Sequence, residues 1–275
     1  MAQEGYCLQV LEWPEVRCLG TAGWPLHWYF YRLVNLSPAH LSHLSKMAER
    51  RPSWSIVAID PLFHDEHHRL GEKHAYGEVH PYLRGMKDVL RCVNKYQPAK
   101  VLDIGSPLVQ NVAVSYLTKL TVLDVRAHED ASLGLQFLRG TACDIPLSSG
   151  SQEMVTSLWV MCHVGDGRYG DTLELDGDLK MLQEIYRVLM PNGLAVLGVG
   201  PVADAPSVLF NAHRIYSWEW LAEQFGALDF EILEQGEYPV RGDMFVGPEW
   251  TEKGSVPLER HDGAYGFVVL KKGIN

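Results

Sequence analysis

Three short apolar runs in this sequence close on a carboxylate. Lys100-Val-Leu-Asp-Ile104 carries Asp103 just ahead of Gly105-Ser106-Pro107, Leu120-Thr-Val-Leu-Asp124 ends in Asp124, and the run from Leu138 to Ala142 is followed by Asp144. In a doubly wound sheet, ligands bind outside the carboxyl ends of the strands, where strand order reverses. Asp124 stands 21 positions after Asp103, close to the ~20-residue offset at which an acid reaches ribose hydroxyls in nucleoside-binding folds. Gly105 lets the backbone pass close to a ligand. The pattern predicts a nucleoside-containing cofactor lying across the first three strands of a sheet.

A phosphate cradle fits less well. The segment 101–109 has one glycine where a pyrophosphate loop uses about three, and Pro107 removes a backbone donor. A cofactor without phosphate suits this loop better, and S-adenosylmethionine (SAM) is the obvious candidate. In order along the chain, VLDIGSP, LTVLDV, CDIPL, MVTSLWVMCHVG and EIYRVLMPNGLAVLGV resemble successive motifs of the class I SAM-dependent methyltransferases, over roughly Ala99 to Lys271. The segments His163–Asp171, Asp176–Lys180 and Phe210–Tyr216, with their GRYGD and NAHRIY motifs, are similar to a methyltransferase-like family known only as a domain of unknown function. The resemblance implies Asp103, Gly105 and Ser106 beside the amino-acid end of SAM. It implies Asp124 with Val125 at the ribose, Asp144 with Ile145 at the adenine, and Trp159 to His163 as the floor beneath the reacting methyl.

The loop after the fourth strand is where such folds place acceptor-binding groups. His163, Arg168, Tyr169, Asp171, Asp176 and Asp178 crowd it, and Asn211, His213 and Arg214 follow the fifth strand. Methyl transfer is an in-line displacement, so the protein must align, desolvate and, for a hydroxyl acceptor, remove a proton. His163 or His213 is a candidate base because imidazole titrates near neutral pH. Asp171 is another if burial raises its pKa, and Tyr169 completes the candidate catalytic set. Arg168 and Arg214 are placed to hold an anionic group through paired hydrogen bonds, with Asn211 beside them. The same residues also suit structure, since Arg168 can pair with Asp171 or Asp176 simply to shape the loop. The expectation is a methyltransferase for a small polar or glycan-like acceptor; the alternative is an inactive methyltransferase-like binding protein. A nicotinamide enzyme fares poorly without the phosphate-binding glycines.

His64, His67, His68, His74 and His80 invite a metal reading. No nearby Cys or third spaced ligand supports it, so no metal site is expected. The early aromatics Trp24, Trp28, Tyr29, Phe30 and Tyr31 are read as packing.

Positioning those groups calls for alternating βα units, an α/β Rossmann-like doubly wound sheet of about seven mostly parallel strands. Strands are expected at Lys100–Ile104, Leu120–Asp124, Leu138–Ala142, Met154–Val160 and Leu194–Gly198. Asp178 is the expected N-cap of a helix to Met190, halted by Pro191-Asn-Gly193. Strands near Phe230–Leu233 and Tyr265–Lys271, with no helix between them, predict an antiparallel C-terminal edge. Residues 1–96, with helices near Ser37–Glu49 and Pro81–Tyr96, read as a helical N-terminal cap on a domain spanning 97–275.

Composition agrees. Across 275 residues, 47% hydrophobic and 21% charged content supports a sizeable core, and a net charge of −10 makes a poor nucleic-acid binder. No run of about 18 apolar residues suggests a membrane span. The start MAQEGYCLQV has no secretory pattern, and five scattered cysteines suggest thiols in a reducing, cytoplasmic setting. A single small-molecule acceptor, rather than nucleic acid or membrane, is therefore the expected partner; oligomeric state is left open.

Overall fold

The structure is a computed structural model that describes residues 8–11, 16–19, 38–58, 81–126, 133–210, 213–239 and 264–274. In chain order these form β1 (Leu8–Leu11), β2 (Val16–Leu19), α1 (Pro38–Arg50), β3 (Ser55–Ala58) and α2 (Pro81–Tyr96). Next come β4 (Lys100–Ile104), α3 (Leu108–Ser115), β5 (Lys119–Asp124), β6 (Gln136–Arg139), β7 (Gln152–Leu158), α4 (Gly177–Val188) and β8 (Leu189–Val202). The chain continues through β9 (Ser207–Phe210), β10 (His213–Ile215), α5 (Trp218–Ala227), β11 (Phe230–Pro239) and β12 (Ala264–Lys272).

Seven strands make the main sheet, in the order β11-β12-β8-β7-β4-β5-β6. The apolar runs 101–104, 154–158 and 194–199 become strands buried on both faces, as parallel strands between helical layers must be. β4, β5, β6, β7 and β8 pair in parallel. β12 runs antiparallel to both β8 and β11, which makes the expected antiparallel C-terminal edge. Sequence order reverses between β4 and β7, so a ligand crevice is expected at their carboxyl ends.

Apolar residues of α2 (Val89, Cys92 and Val93) pack with Val101, Val122, Met154 and Val196 on one face of the sheet. On the other face Leu44 and Met47 of α1 join Met181, Leu182 and Ile185 of α4 and Phe225 of α5. Pro81 opens α2, where its fixed φ costs nothing, and Ser217 caps α5 by accepting from the Trp220 amide.

Two details differ from expectation. The N-terminal part is not helical alone, because β1, β2 and β3 join β9 and β10 in a second sheet of order β10-β9-β3-β1-β2. His213–Ile215 of the NAHRIY segment thus form β10, antiparallel to β9, with which β3 pairs in parallel. Asp178 is not the N-cap of α4; Asp176 holds that position, and Asp178 lies buried in the first turn. No described helix is long and apolar enough to cross a membrane.

Candidate functional site

A cleft of about 380 Å3 opens along the carboxyl ends of β4, β5 and β7. Its lining includes Gly105, Ser106, Asp124, Val125, Trp159, His163, Tyr169 and Asp171, so eight of the expected site residues meet in one place.

Asp103 is not among them. It is fully buried, accepting from the Ser106 amide at 3.0 Å, Ser106 Oγ at 2.8 Å, Gln110 Nε2 at 3.1 Å and Thr156 Oγ1 at 2.6 Å. Burial pushes its pKa up to about 6 although these donors pull the other way. Ser106 Oγ in turn accepts from the Leu158 amide at 3.0 Å. Asp103 therefore shapes the loop and ties β4 to β7, while the loop itself faces the cleft. Gly105, at φ +62, is the turn's necessary residue, and a Cβ there would stand 3.1 Å from Val160 Cγ2.

Asp124 lies at the expected place on the rim, already engaged by Arg126. The Arg126 amide and Nε donate to Oδ1 at 2.8 and 2.9 Å, and Nη2 donates to Oδ2 at 2.7 Å. Asp144 is exposed and Ile145 is buried with its amide on Glu184 Oε2 at 2.7 Å; neither lines the cleft. The third strand, β6, ends earlier than expected, so Gly140, Thr141 and Ala142 form that end of the cleft instead.

Trp159 has φ +55, a region where a bulky side chain is strained and which clusters at functional sites. Its amide donates to the Gly198 carbonyl at 2.8 Å. Its ring is packed edge-on by Tyr82 at 4.3 Å and Tyr265 at 4.9 Å. Gly85 and Gly198 make that socket, since a Cβ at either would come within 2.8–2.9 Å of the indole.

Also in the lining, His163 meets the Tyr169 ring edge-on at 5.0 Å. Asp171 holds the loop in shape, with Oδ2 accepting from the Gly165 amide at 2.7 Å and Oδ1 from the Tyr169 amide at 3.2 Å. Arg168 stacks on Tyr169, 5.2 Å from the ring centre, and does not line the cleft.

Arg214 and His213 also fall outside the cleft, and both are buried. Arg214 is fully enclosed, 2.9 Å from Asp166 Oδ1 and 3.7 Å from Asp178 Oδ2, and it donates to the Val164 carbonyl at 2.9 Å. Arg51 pairs with Asp178 at 2.6 Å, giving two arginines and two aspartates behind the cleft loop. Burial opposes ionisation of Asp178, yet Arg214 and Arg51 hold its pKa below the usual carboxylate range. Asp166 is pushed up to about 7 by burial. Arg214 is thus a structural ion-pair partner, contrary to its expected place at the acceptor. Asn211 lies outside the described residues, as do His64, His67, His68, His74 and His80 and the aromatics from Trp24 to Tyr31.

Sequence reasoning missed Tyr82, Asn111 and Arg126. Asn111, one helical turn past Pro107, lines the cleft at 1% exposure with no partner for Oδ1. The signal for Arg126 was its position two residues after a strand-ending acid. Among described residues no group of His, Cys, Asp and Glu could hold a metal.

No curated protein matches the chain in sequence. A family model described as "Caenorhabditis protein of unknown function, DUF268" matches residues 146–235, a stretch that contains positions 163–171 and 210–216. Among solved structures, the chain is similar to 1,6-didemethyltoxoflavin-N1-methyltransferase of Burkholderia thailandensis, solved with 1,6-didemethyltoxoflavin and S-adenosylhomocysteine. That match has 14% identity and TM-score 0.50 and covers 87% of this chain and 92% of the other. It is also similar to a candidate sarcosine dimethylglycine methyltransferase of Galdieria sulphuraria, at 15% identity and TM-score 0.50, covering 70% and 86%. Likeness at this identity speaks for architecture alone, and the chain has the Rossmann-like fold of the class I methyltransferases.

Proposed function

We propose that the chain is a SAM-dependent methyltransferase acting on a small polar or glycan-like acceptor. The observation that carries the reading is the open cleft at the switch point of the sheet, lined by Asp124, His163 and Tyr169. Its volume of about 380 Å3 falls in the range of small-molecule sites.

The residues present fit SAM. The Gly105 turn allows close backbone approach, Asp124 offers acceptors to ribose hydroxyls, and Asn111 Oδ1 is a buried acceptor at the cleft with no partner, suited to an ammonium. When bound, SAM supplies an electrophilic methyl on a sulfonium. The protein's tasks are then positioning and proton removal. Trp159, locked by Tyr82 and Tyr265, walls the cleft and excludes water. His163 is the group placed to take a proton from an acceptor hydroxyl, its ring steadied by the edge of Tyr169. Asp171 and His213 do not take that role here, because Asp171 is committed to loop amides and His213 lies away from the cleft.

The test is transfer of labelled methyl from SAM to a panel of hydroxylated acids, amines and sugars. His163→Ala should lower turnover about 100-fold or more with S-adenosylhomocysteine affinity unchanged. One observation favours a second reading, a ligand-binding fold without transfer: Arg126 sits on the carboxylate that the ribose needs. Binding of S-adenosylhomocysteine without turnover on any acceptor would support that reading.

A further inference from the structure

We propose that Arg126 and Tyr169, with Arg168 over the Tyr169 ring outside the cleft, form a subsite for an anionic group, carboxylate or phosphate, carried by the methyl acceptor, and that the nucleoside completes it by taking Asp124 from Arg126. The inference rests on the methyltransferase reading of the cleft.

A carboxylate offers about four lone-pair sites, two on each oxygen. Both sites on Asp124 Oδ1 are taken, by the Arg126 amide at 2.8 Å and Nε at 2.9 Å. A ribose diol presents two hydroxyls to an acid at this position, so Oδ1 must release a donor. The amide is fixed in the backbone. The guanidinium is the donor able to leave, since its side chain is 55% exposed and can be solvated or take another anion once a ribose hydroxyl replaces it on the carboxylate.

Its other neighbour is the Tyr169 ring, 5.8 Å from the Arg126 guanidinium carbon and 5.2 Å from that of Arg168. Tyr169 is 44% exposed at the cleft. Two guanidiniums thus flank one accessible phenol in a chain of net charge −10. Among the described residues Asp124 is the one acid that pairs with Arg126. Once ribose hydroxyls satisfy Asp124, Arg126 gives up the one acid it pairs with among the described residues and turns to the acceptor side. Guanidinium geometry favours carboxylate and phosphate oxygens taken in pairs. Cofactor binding therefore strengthens acceptor binding.

The experiment is a calorimetric titration of the full chain with inorganic phosphate, and in parallel with acetate, with and without saturating S-adenosylhomocysteine. The anion that belongs to the site should bind about fivefold more tightly when S-adenosylhomocysteine is present. By reciprocity it should tighten S-adenosylhomocysteine by the same factor. Arg126→Ala should abolish this dependence while S-adenosylhomocysteine still binds, and Arg168→Ala should weaken the anion alone. Thermal melts check that both variants are folded. Failure of S-adenosylhomocysteine to bind overturns the methyltransferase reading and this inference together. If it binds, and neither anion shows an affinity that depends on it and on Arg126, the inference falls alone.

Discussion

Replacing Asp103 by asparagine exchanges one carboxylate oxygen for an amide NH2 at nearly constant volume, and two opposed effects set the outcome. Burial raises the Asp103 pKa from 3.8 to about 6, which disfavours the ionised native form by about 3 kcal/mol at neutral pH. Asparagine removes that penalty. Three donors converge on Oδ2 (Ser106 Oγ, Gln110 Nε2 and Thr156 Oγ1), and the amide oxygen can keep them. The NH2 then faces the Ser106 amide, which loses its acceptor at a cost of about 1–3 kcal/mol. Asp103→Asn should therefore lie within about 2 kcal/mol of the parent at pH 7. Asp103→Ala leaves all four donors without their acceptor and should cost more than about 3 kcal/mol. Urea unfolding at constant slope reads both values. Because the folded pKa is raised, the Asp103 contribution to stability is fully present below pH 3.8 and is lost as pH rises to about 6. The asparagine variant should lack that component. An asparagine variant as unstable as the alanine variant would show that the charge itself holds the loop, and would refute the reasoning.

Other consequences can be checked alongside. Gly198→Ala puts a methyl 2.9 Å from both Leu158 Cδ2 and Trp159 Nε1; it should cost about 1–3 kcal/mol and shift the tryptophan emission. Arg214→Ala strands Asp166 in the interior and leaves Asp178 to Arg51 alone; it should destabilise by about 3–5 kcal/mol, seen as a large fall in the urea midpoint. Burial, reinforced by Arg214, holds the His43 pKa down at about 4, so its stabilising neutral form is present above pH 6.5 and lost as pH falls towards 4. His43→Gln should flatten the acid limb of stability against pH in that window. Asp166, raised to about 7, acts in the opposite sense, so variant and parent are compared at each pH.

The main sheet was legible because its strands are short apolar runs set between turn residues, and local pattern fixes such elements. Asp124, Gly105, Trp159 and His163 were legible because they follow those strands at the carboxyl edge, where the topology must bring them together. The second sheet was not. Its strands β9 and β10 hold four and three residues, too few for periodicity, and β9 pairs with β3 from far along the chain. Arg214 and Asp103 misled for one reason, since a polar residue beside a cleft and one buried behind it look alike in sequence. Their roles depend on partners at a distance, Asp166 and Asp178 for the first and Thr156 for the second. Tyr82 is the converse case, a residue of the presumed cap that α2 delivers to the site.

The most direct test is calorimetry of S-adenosylhomocysteine binding to the parent and to Asp124→Ala. The account predicts one site per chain in the parent, and a loss of about 1–3 kcal/mol in the variant with its unfolding midpoint preserved. No heat from the parent at millimolar ligand, or equal affinity in the two proteins, would contradict it.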